Sequence, residues 1–288
     1  MHFKEAKGLL NAHNGMNISR GCTHGCIYCD SRSKCYQINH DFEDVQIKSN
    51  APDLLEDALK RKRKKCVIGT GAMSDPYIPI PENLANIRAC LETIDRHGCG
   101  IAIQTKSDLI LRDLDLLISI NKKAKCIVET TLTTADENLC KIIEPNVCGT
   151  KRRYEMLKEM QKNGIQTIVW LCPFLPFIND TEENIRGLSG YCADAGVYGI
   201  LCWGIGMTLR EGSRDYFYQK LDEHFPGLKS VYQKKYGNNY QISSDNNDRL
   251  MRLLRATCAK HNIVFGIDNL FEYMGIFEEK KIGQMELF

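Results

Sequence analysis

The 288-residue chain lacks a net charge of any size. Its 38 Lys and Arg against 36 Asp and Glu leave +2. No whole-molecule basic field draws it to nucleic acid, although a local basic groove stays open. It lacks a membrane-length apolar run: the most apolar stretch, residues 165–178, is too short to span and carries Pro173 and Pro176. The opening MHFKEAKGLL lacks the apolar core of an export signal. Low-complexity tracts and internal repeats are absent, and 43% hydrophobic residues argue against disorder. The expectation is a cytoplasmic globular protein, not a membrane one, long enough to bury a sizeable core.

Cysteine, by contrast, is plentiful: there are 14. Without an export signal these are expected as free, often buried thiols in a reducing compartment. Most are scattered along the chain. One group is not.

Short apolar runs at 15–20, 66–70, 100–106, 125–133, 165–173 and 197–206 read as buried parallel strands. Between them, 52–65, 82–97, 108–121, 151–163 and 181–195 read as helices. Pro81 opens the second, and Gly164 and Gly196 close the last two. Six strand–helix units imply an α/β protein with right-handed crossovers. They fall short of a closed eight-stranded barrel, and a doubly wound open sheet fits the alternation equally. Beyond about residue 210 the pattern changes. Helices at 213–224 and 245–261 and a turn at Gly237-Asn238-Asn239 read as a cap. This divides the chain into residues 1–210 and a C-terminal extension, 211–288.

The cysteine group follows the first strand: Asn17-Ile18-Ser19-Arg20-Gly21-Cys22-Thr23-His24-Gly25-Cys26-Ile27-Tyr28-Cys29-Asp30. Three thiolates spaced C-x3-C-x2-C can wrap one face of an iron–sulfur cluster. Gly21 and Gly25 let the loop bend tightly. Three ligands on a four-iron cluster leave one iron open. The competing reading is zinc, with Cys35 or His24 as fourth ligand, although Cys35 lies wide for a compact knuckle.

This motif, with an aromatic before its last cysteine, resembles the radical S-adenosylmethionine (SAM) enzymes. Further motifs narrow the resemblance: Gly69-Thr70-Gly71-Ala72-Met73-Ser74-Asp75-Pro76-Tyr77, Thr105-Lys106-Ser107, Glu129-Thr130-Thr131-Leu132-Thr133, then Glu144-Pro145 and Arg153. Their order is similar to the spore-photoproduct-lyase-like (DNA repair photolyase-like) branch, from about Asn17 to Asn179. The resemblance implies a partial (β/α)6 TIM-like barrel with a C-terminal helical cap. It also implies a 4Fe-4S cluster whose open iron chelates SAM, and a reductant such as flavodoxin or ferredoxin. Electron transfer to SAM would give a 5′-deoxyadenosyl radical that abstracts hydrogen from substrate.

By the same resemblance, Cys22, Cys26 and Cys29 hold the cluster, and Tyr28 packs on the adenine. Ser74 and Asp75 meet the SAM amino group, and Lys106 its carboxylate. Thr131 or Thr133 bonds the carboxylate or ribose, strand alternation placing both on one face. Spore photoproduct lyase is similar in carrying a hydrogen-donating cysteine just before the motif serine. Met73 stands there and has no S–H to give, so Cys172, Cys202 and Cys148 are the alternatives near strand tops.

Two signals bear on nucleic acid. Lys60-Arg61-Lys62-Arg63-Lys64-Lys65 reads as a solvated helix end, or as a phosphate-binding patch. Gln284-Met285-Glu286-Leu287-Phe288 resembles the short peptide that docks bacterial proteins onto the sliding clamp. The leading expectation is a radical SAM enzyme, lyase-like, acting on damaged DNA or on a nucleotide, peptide or metabolite. The alternatives are a non-catalytic zinc- or cluster-bearing binding protein recruited to the clamp, and a redox-responsive thiol protein.

Overall fold

A computed structural model describes residues 1–280; the expected clamp peptide at 284–288 lies outside the described residues. The chain begins with β1 (His2–Lys4), β2 (Gly15–Met16) and β3 (Ser19–Arg20), and β4 (Gln46–Lys48) follows the cysteine loop. The run read as one strand at 15–20 therefore breaks in two. β2 joins the main sheet, whereas β3 pairs antiparallel with β4 in a small sheet ordered β1-β4-β3.

α1 (Ala51–Arg61), β5 (Val67–Thr70), α2 (Pro81–Arg96), β6 (Gly100–Gln104), α3 (Leu114–Lys123) and β7 (Cys126–Thr131) come next. After α4 (Glu137–Ile143) and α5 (Thr150–Lys162) come β8 (Gln166–Trp170), α6 (Glu182–Asp194) and β9 (Gly199–Leu201). All six expected strand positions are filled. The helix expected at 108–121 begins instead as a 3-10 turn, Asp108–Asp113, before α3.

The tail is more than a helical cap. β10 (Gly206–Thr208) and β11 (Gln241–Ser243) form an antiparallel pair around α7 (Ser213–His224) and α8 (Leu228–Tyr236). After α9 (Asn247–Lys260), β12 (Val264–Phe265) adds a seventh parallel strand, and α10 (Ile267–Gly275) follows. The main sheet runs β12-β9-β8-β7-β6-β5-β2, and its end strands β12 and β2 do not pair with each other, an open partial barrel.

Strand alternation sorts the core into layers. Ile68, Ile101, Ile103, Cys126 and Val128 face the helices outside. Val67, Ala102, Ile127, Ile168 and Leu201 face inward onto Leu270 and Met274 of α10, which fills the lower concave face. Both faces are apolar, as a parallel sheet requires. Above α10 the inner face turns polar, and there the cysteine loop lies.

Candidate active site

The cysteine loop is fastened on two sides. Cys22 N–H donates to Phe42 O at 3.0 Å, Ile27 N–H to Ile143 O at 3.0 Å, and Asn146 N–H to His24 O at 3.1 Å. Gly21 sits at φ +85°, where an added Cβ would lie 2.4 Å from Phe42 O, so only glycine fits that close approach. Cys26 and Tyr28 pack with Phe217, Leu221 and Tyr232 of the tail helices, so the extension covers the loop.

Cys22, Cys26 and Cys29 are all free thiols. Burial pushes Cys22 up, and Asp75 and the neighbouring thiols add to it. Burial pushes Cys26 up to about 12, although Lys106 opposes it. Thiols that feel one another in this way ligate only if a cation replaces their protons. Among the described residues no three His, Cys, Asp or Glu side chains converge tightly enough for a single ion. Cys35 is exposed and accepts from Arg210 Nη1 at 3.3 Å, and His24 Nδ1 lies 3.4 Å from Asp75 Oδ2, so neither completes a zinc set. A multi-iron cluster spreads its thiolates over separate irons, which suits this loop better.

Ser74 and Asp75 stitch the β5 loop to its neighbours. Ser74 Oγ donates to Gly21 O and lies 3.0 Å from Ser19 Oγ. Asp75 Oδ1 accepts from Thr105 Oγ1 at 2.7 Å and Tyr77 N–H at 2.8 Å, and its Oδ2 from Lys106 N–H at 2.8 Å. Lys106 itself turns its ammonium toward the loop, 5.9 Å from the Tyr28 ring centroid. Burial works to lower its pKa, but Cys26, Glu144 and Asp75 outweigh burial and Arg153 and hold it above the ordinary lysine value.

Sequence reasoning quoted Glu144 and Arg153 without a role. They form a buried network with Tyr28 and Thr133. Arg153 Nη2 donates to Glu144 Oε2 at 2.5 Å, its Nη1 to Thr131 O at 2.9 Å and its Nε to Cys148 O at 2.9 Å. Tyr28 O–H donates to Glu144 Oε1, and Thr133 Oγ1 donates to the same oxygen at 2.9 Å. Of the two candidate threonines, Thr133 spends its hydroxyl on this network. β7 ends at Thr131, the ladder still reaches Leu132, whose N–H donates to Trp170 O at 3.1 Å, and the Thr133 hydroxyl is committed to Glu144.

Of the alternative hydrogen donors, Cys148 Sγ contacts Lys106 O at 3.1 Å. Cys202 packs in the outer core against Met251, 3.7 Å between sulfurs. Cys172 stands half-buried just beyond β8.

Glu129, read only as part of a motif, stands two residues above Ile127 on the concave face. Its Oε2 accepts from Trp170 Nε1 at 2.6 Å. It lines a cavity of about 770 Å³ with Gln104, Met73, Asn17 and Phe271. Burial raises its pKa to about 7 against the Trp170 hydrogen bond. The basic run falls at the end of α1, where Lys60 pairs with Glu56 and Arg61 with Asp57.

Residues 16–188 match the family model described as the Radical SAM superfamily. The chain belongs to the radical SAM superfamily. Members of the superfamily use a 4Fe-4S cluster and SAM, and the three thiols and the Lys106 ammonium fit that pair. An uncharacterized protein of Methanocaldococcus jannaschii is 35% identical over 167 residues, 57% of this chain; this chain thus spans 61% of that relative's length. A Mycobacterium tuberculosis protein, also uncharacterized, is 26% identical over 86% of this chain and 74% of its own. Spore photoproduct lyase complexed with dinucleoside spore photoproduct shares the fold, with a TM-score of 0.60 and 15% identity over 86% of this chain and 75% of that one. A radical SAM methyltransferase from Kitasatospora setae gives 0.50 and 14%, over 68% and 34%. Among the described residues no helix is long and apolar enough to cross a membrane.

Proposed function

We propose that this radical SAM enzyme acts on a nucleic-acid-derived substrate, with damaged DNA the first to test, in a lyase-like reaction. The observation that carries the reading is the half-buried Lys106 ammonium, directed toward a loop that carries three free thiols spaced C-x3-C-x2-C. A cation so placed complements a carboxylate bound beside the cluster. Cys22, Cys26 and Cys29 would hold the cluster, Lys106 would bind the SAM carboxylate, and Thr131 would offer its hydroxyl at the strand end. Ser74 and Asp75 reach the ligand from the β5 loop, whose shape they also fix. When bound, the cluster and SAM supply a 5′-deoxyadenosyl radical for hydrogen abstraction. The protein's part is to orient the ligand and to exclude water, which the tail helices packed on the loop do.

The likeness to spore photoproduct lyase, solved with a dinucleoside photoproduct, supports a nucleic-acid substrate. Docking of Gln284–Phe288 on the sliding clamp would bring the enzyme to DNA without a basic surface.

The test is anaerobic reconstitution with iron and sulfide, reduction with SAM, and chromatography for 5′-deoxyadenosine. Release is expected, increased by ultraviolet-damaged DNA and abolished by Cys22→Ala. A loaded cluster that binds SAM but never cleaves it, with or without damaged DNA, would favour a non-catalytic binding role instead.

A further inference from the structure

The small sheet gathers like charges beside the active-site loop. Lys4 and Lys48 are register partners on the neighbouring parallel strands β1 and β4, so both side chains leave the same face. Arg20 ends β3 on the other side of β4. With Lys7 these cations line a cleft of about 510 Å³. Among the described residues none of the four forms an ion pair, whereas nearby Arg32 and Lys34 each find a glutamate. Arg20 reaches only a carbonyl, Tyr36 O, at 3.1 Å. The carboxylate in the cleft wall, Glu5, is exposed and bridges none of them.

Side-by-side like charges on adjacent strands are unfavourable in the free protein. Burial, and then the Arg20 charge, push Lys48 below the ordinary lysine value. An anion seated between the cations reverses that repulsion. The cleft also shares Asn17 and Met73 with the cavity that holds Glu129. The two therefore lie side by side, with Asn17 and Met73 between them.

We propose that this cleft is an anion subsite which takes a phosphate group of the substrate and presents the rest of that molecule to the concave cavity. The proposal rests on the radical SAM reading for what happens in the cavity. It stands on its own for what binds in the cleft. It selects phosphate esters over neutral metabolites and unmodified peptides.

Two probes test it on the cluster-loaded full chain at about 50 mM salt, where phosphate contacts are strong. One is inorganic pyrophosphate, and the other is a short undamaged single-stranded DNA. At least one is expected to bind. The Lys4→Gln/Lys48→Gln double variant should weaken it by about tenfold or more, with a shallower dependence on salt. Lys4→Arg/Lys48→Arg should keep it, and Arg63→Ala/Lys64→Ala, in the remote basic run, should change it less than about twofold. Tighter DNA binding assigns the site to backbone phosphates, and tighter pyrophosphate binding to a small phosphate ester. The proposal is overturned if neither probe binds, or if the Gln double variant binds as well as the parent. Assaying 5′-deoxyadenosine release from the same protein with SAM and ultraviolet-damaged DNA separates the two ideas: cleavage without anion binding rejects the subsite, and anion binding without cleavage keeps the subsite and rejects the catalytic reading.

Discussion

Arg153 and Glu144 form an ion pair with neither side chain exposed. The same guanidinium holds Thr131 O and Cys148 O, and the same carboxylate accepts from Tyr28 of the cysteine loop. The pair thus joins the end of β7, the start of α5 and the candidate cluster loop. Removing one partner strands a buried charge and costs about 3–5 kcal/mol. Arg153→Met should lower the urea midpoint accordingly. Arg153→Lys should recover little, because an ammonium cannot reach three acceptors with a planar fork. An unfolding free energy within about 0.5 kcal/mol of the parent would refute a structural role for the pair.

The pair also sets an acid limit. Burial would raise Glu144, but Arg153 and Lys106 hold it at about 2, against an ordinary 4.5. The folded value is the lower one, so its stabilisation is complete above the unfolded pKa and is lost as pH falls toward 2. Unfolding curves between pH 5 and pH 3 should show that loss in the parent and a smaller slope in Glu144→Gln. Equal slopes would mean another carboxylate governs the acid transition.

Lys106 and the two threonines separate ligand binding from scaffold. Lys106→Met should weaken SAM binding to the loaded protein by about tenfold or more, through one charge-assisted contact. Thr131→Val should weaken SAM a few-fold and leave stability near that of the parent. Thr133→Val should do the reverse, unsatisfying Glu144 at about 1–3 kcal/mol with SAM affinity kept. Equilibrium SAM binding and urea unfolding on the same preparations decide it. Matching effects at both threonines would remove the distinction drawn from the Thr133–Glu144 hydrogen bond.

What the sequence revealed was what repeats or clusters locally. Each of the six buried runs carries its own apolar signal, and the three cysteines lie within eight residues. What it hid was convergence. Tyr28 and Glu144 are 116 residues apart, and nothing in either neighbourhood announces their bond. β12 is two residues long, too short for alternation to register. α10 fills the concave face through Leu270 and Met274, a spacing that any surface helix also shows. Asn17 gave no warning that the first run would divide between two sheets.

The clamp reading is tested by truncation. Removing residues 284–288 should abolish binding to an immobilised bacterial sliding clamp, while 5′-deoxyadenosine release stays unchanged. A synthetic peptide of the tail should compete with the full chain. Clamp binding that survives truncation would place the contact elsewhere, and its absence in the parent would end the recruitment idea.

Glu129 gives a pH dependence of the opposite sign to Glu144. Burial raises its folded value to about 7, from an ordinary 4.5. The native state therefore binds the extra proton between those values, and stability falls as pH rises through that window, then levels off above 7. The full penalty is about 3 kcal/mol, from roughly 1.4 kcal/mol per pKa unit. Glu129→Gln keeps an oxygen to accept from Trp170 Nε1 and carries no charge. The variant should match the parent near pH 4.5 and exceed it by about 3 kcal/mol at pH 8, read from urea midpoints. Trp170 fluorescence in the parent should titrate with a midpoint near 7 and lose that step in the variant. A parent whose stability is flat from pH 5 to pH 8 would mean that the cavity admits enough water to solvate the carboxylate. A carboxyl poised near neutrality in the wall shared with Met73 would then be an ordinary anion, free to accept two hydrogen bonds from whatever enters.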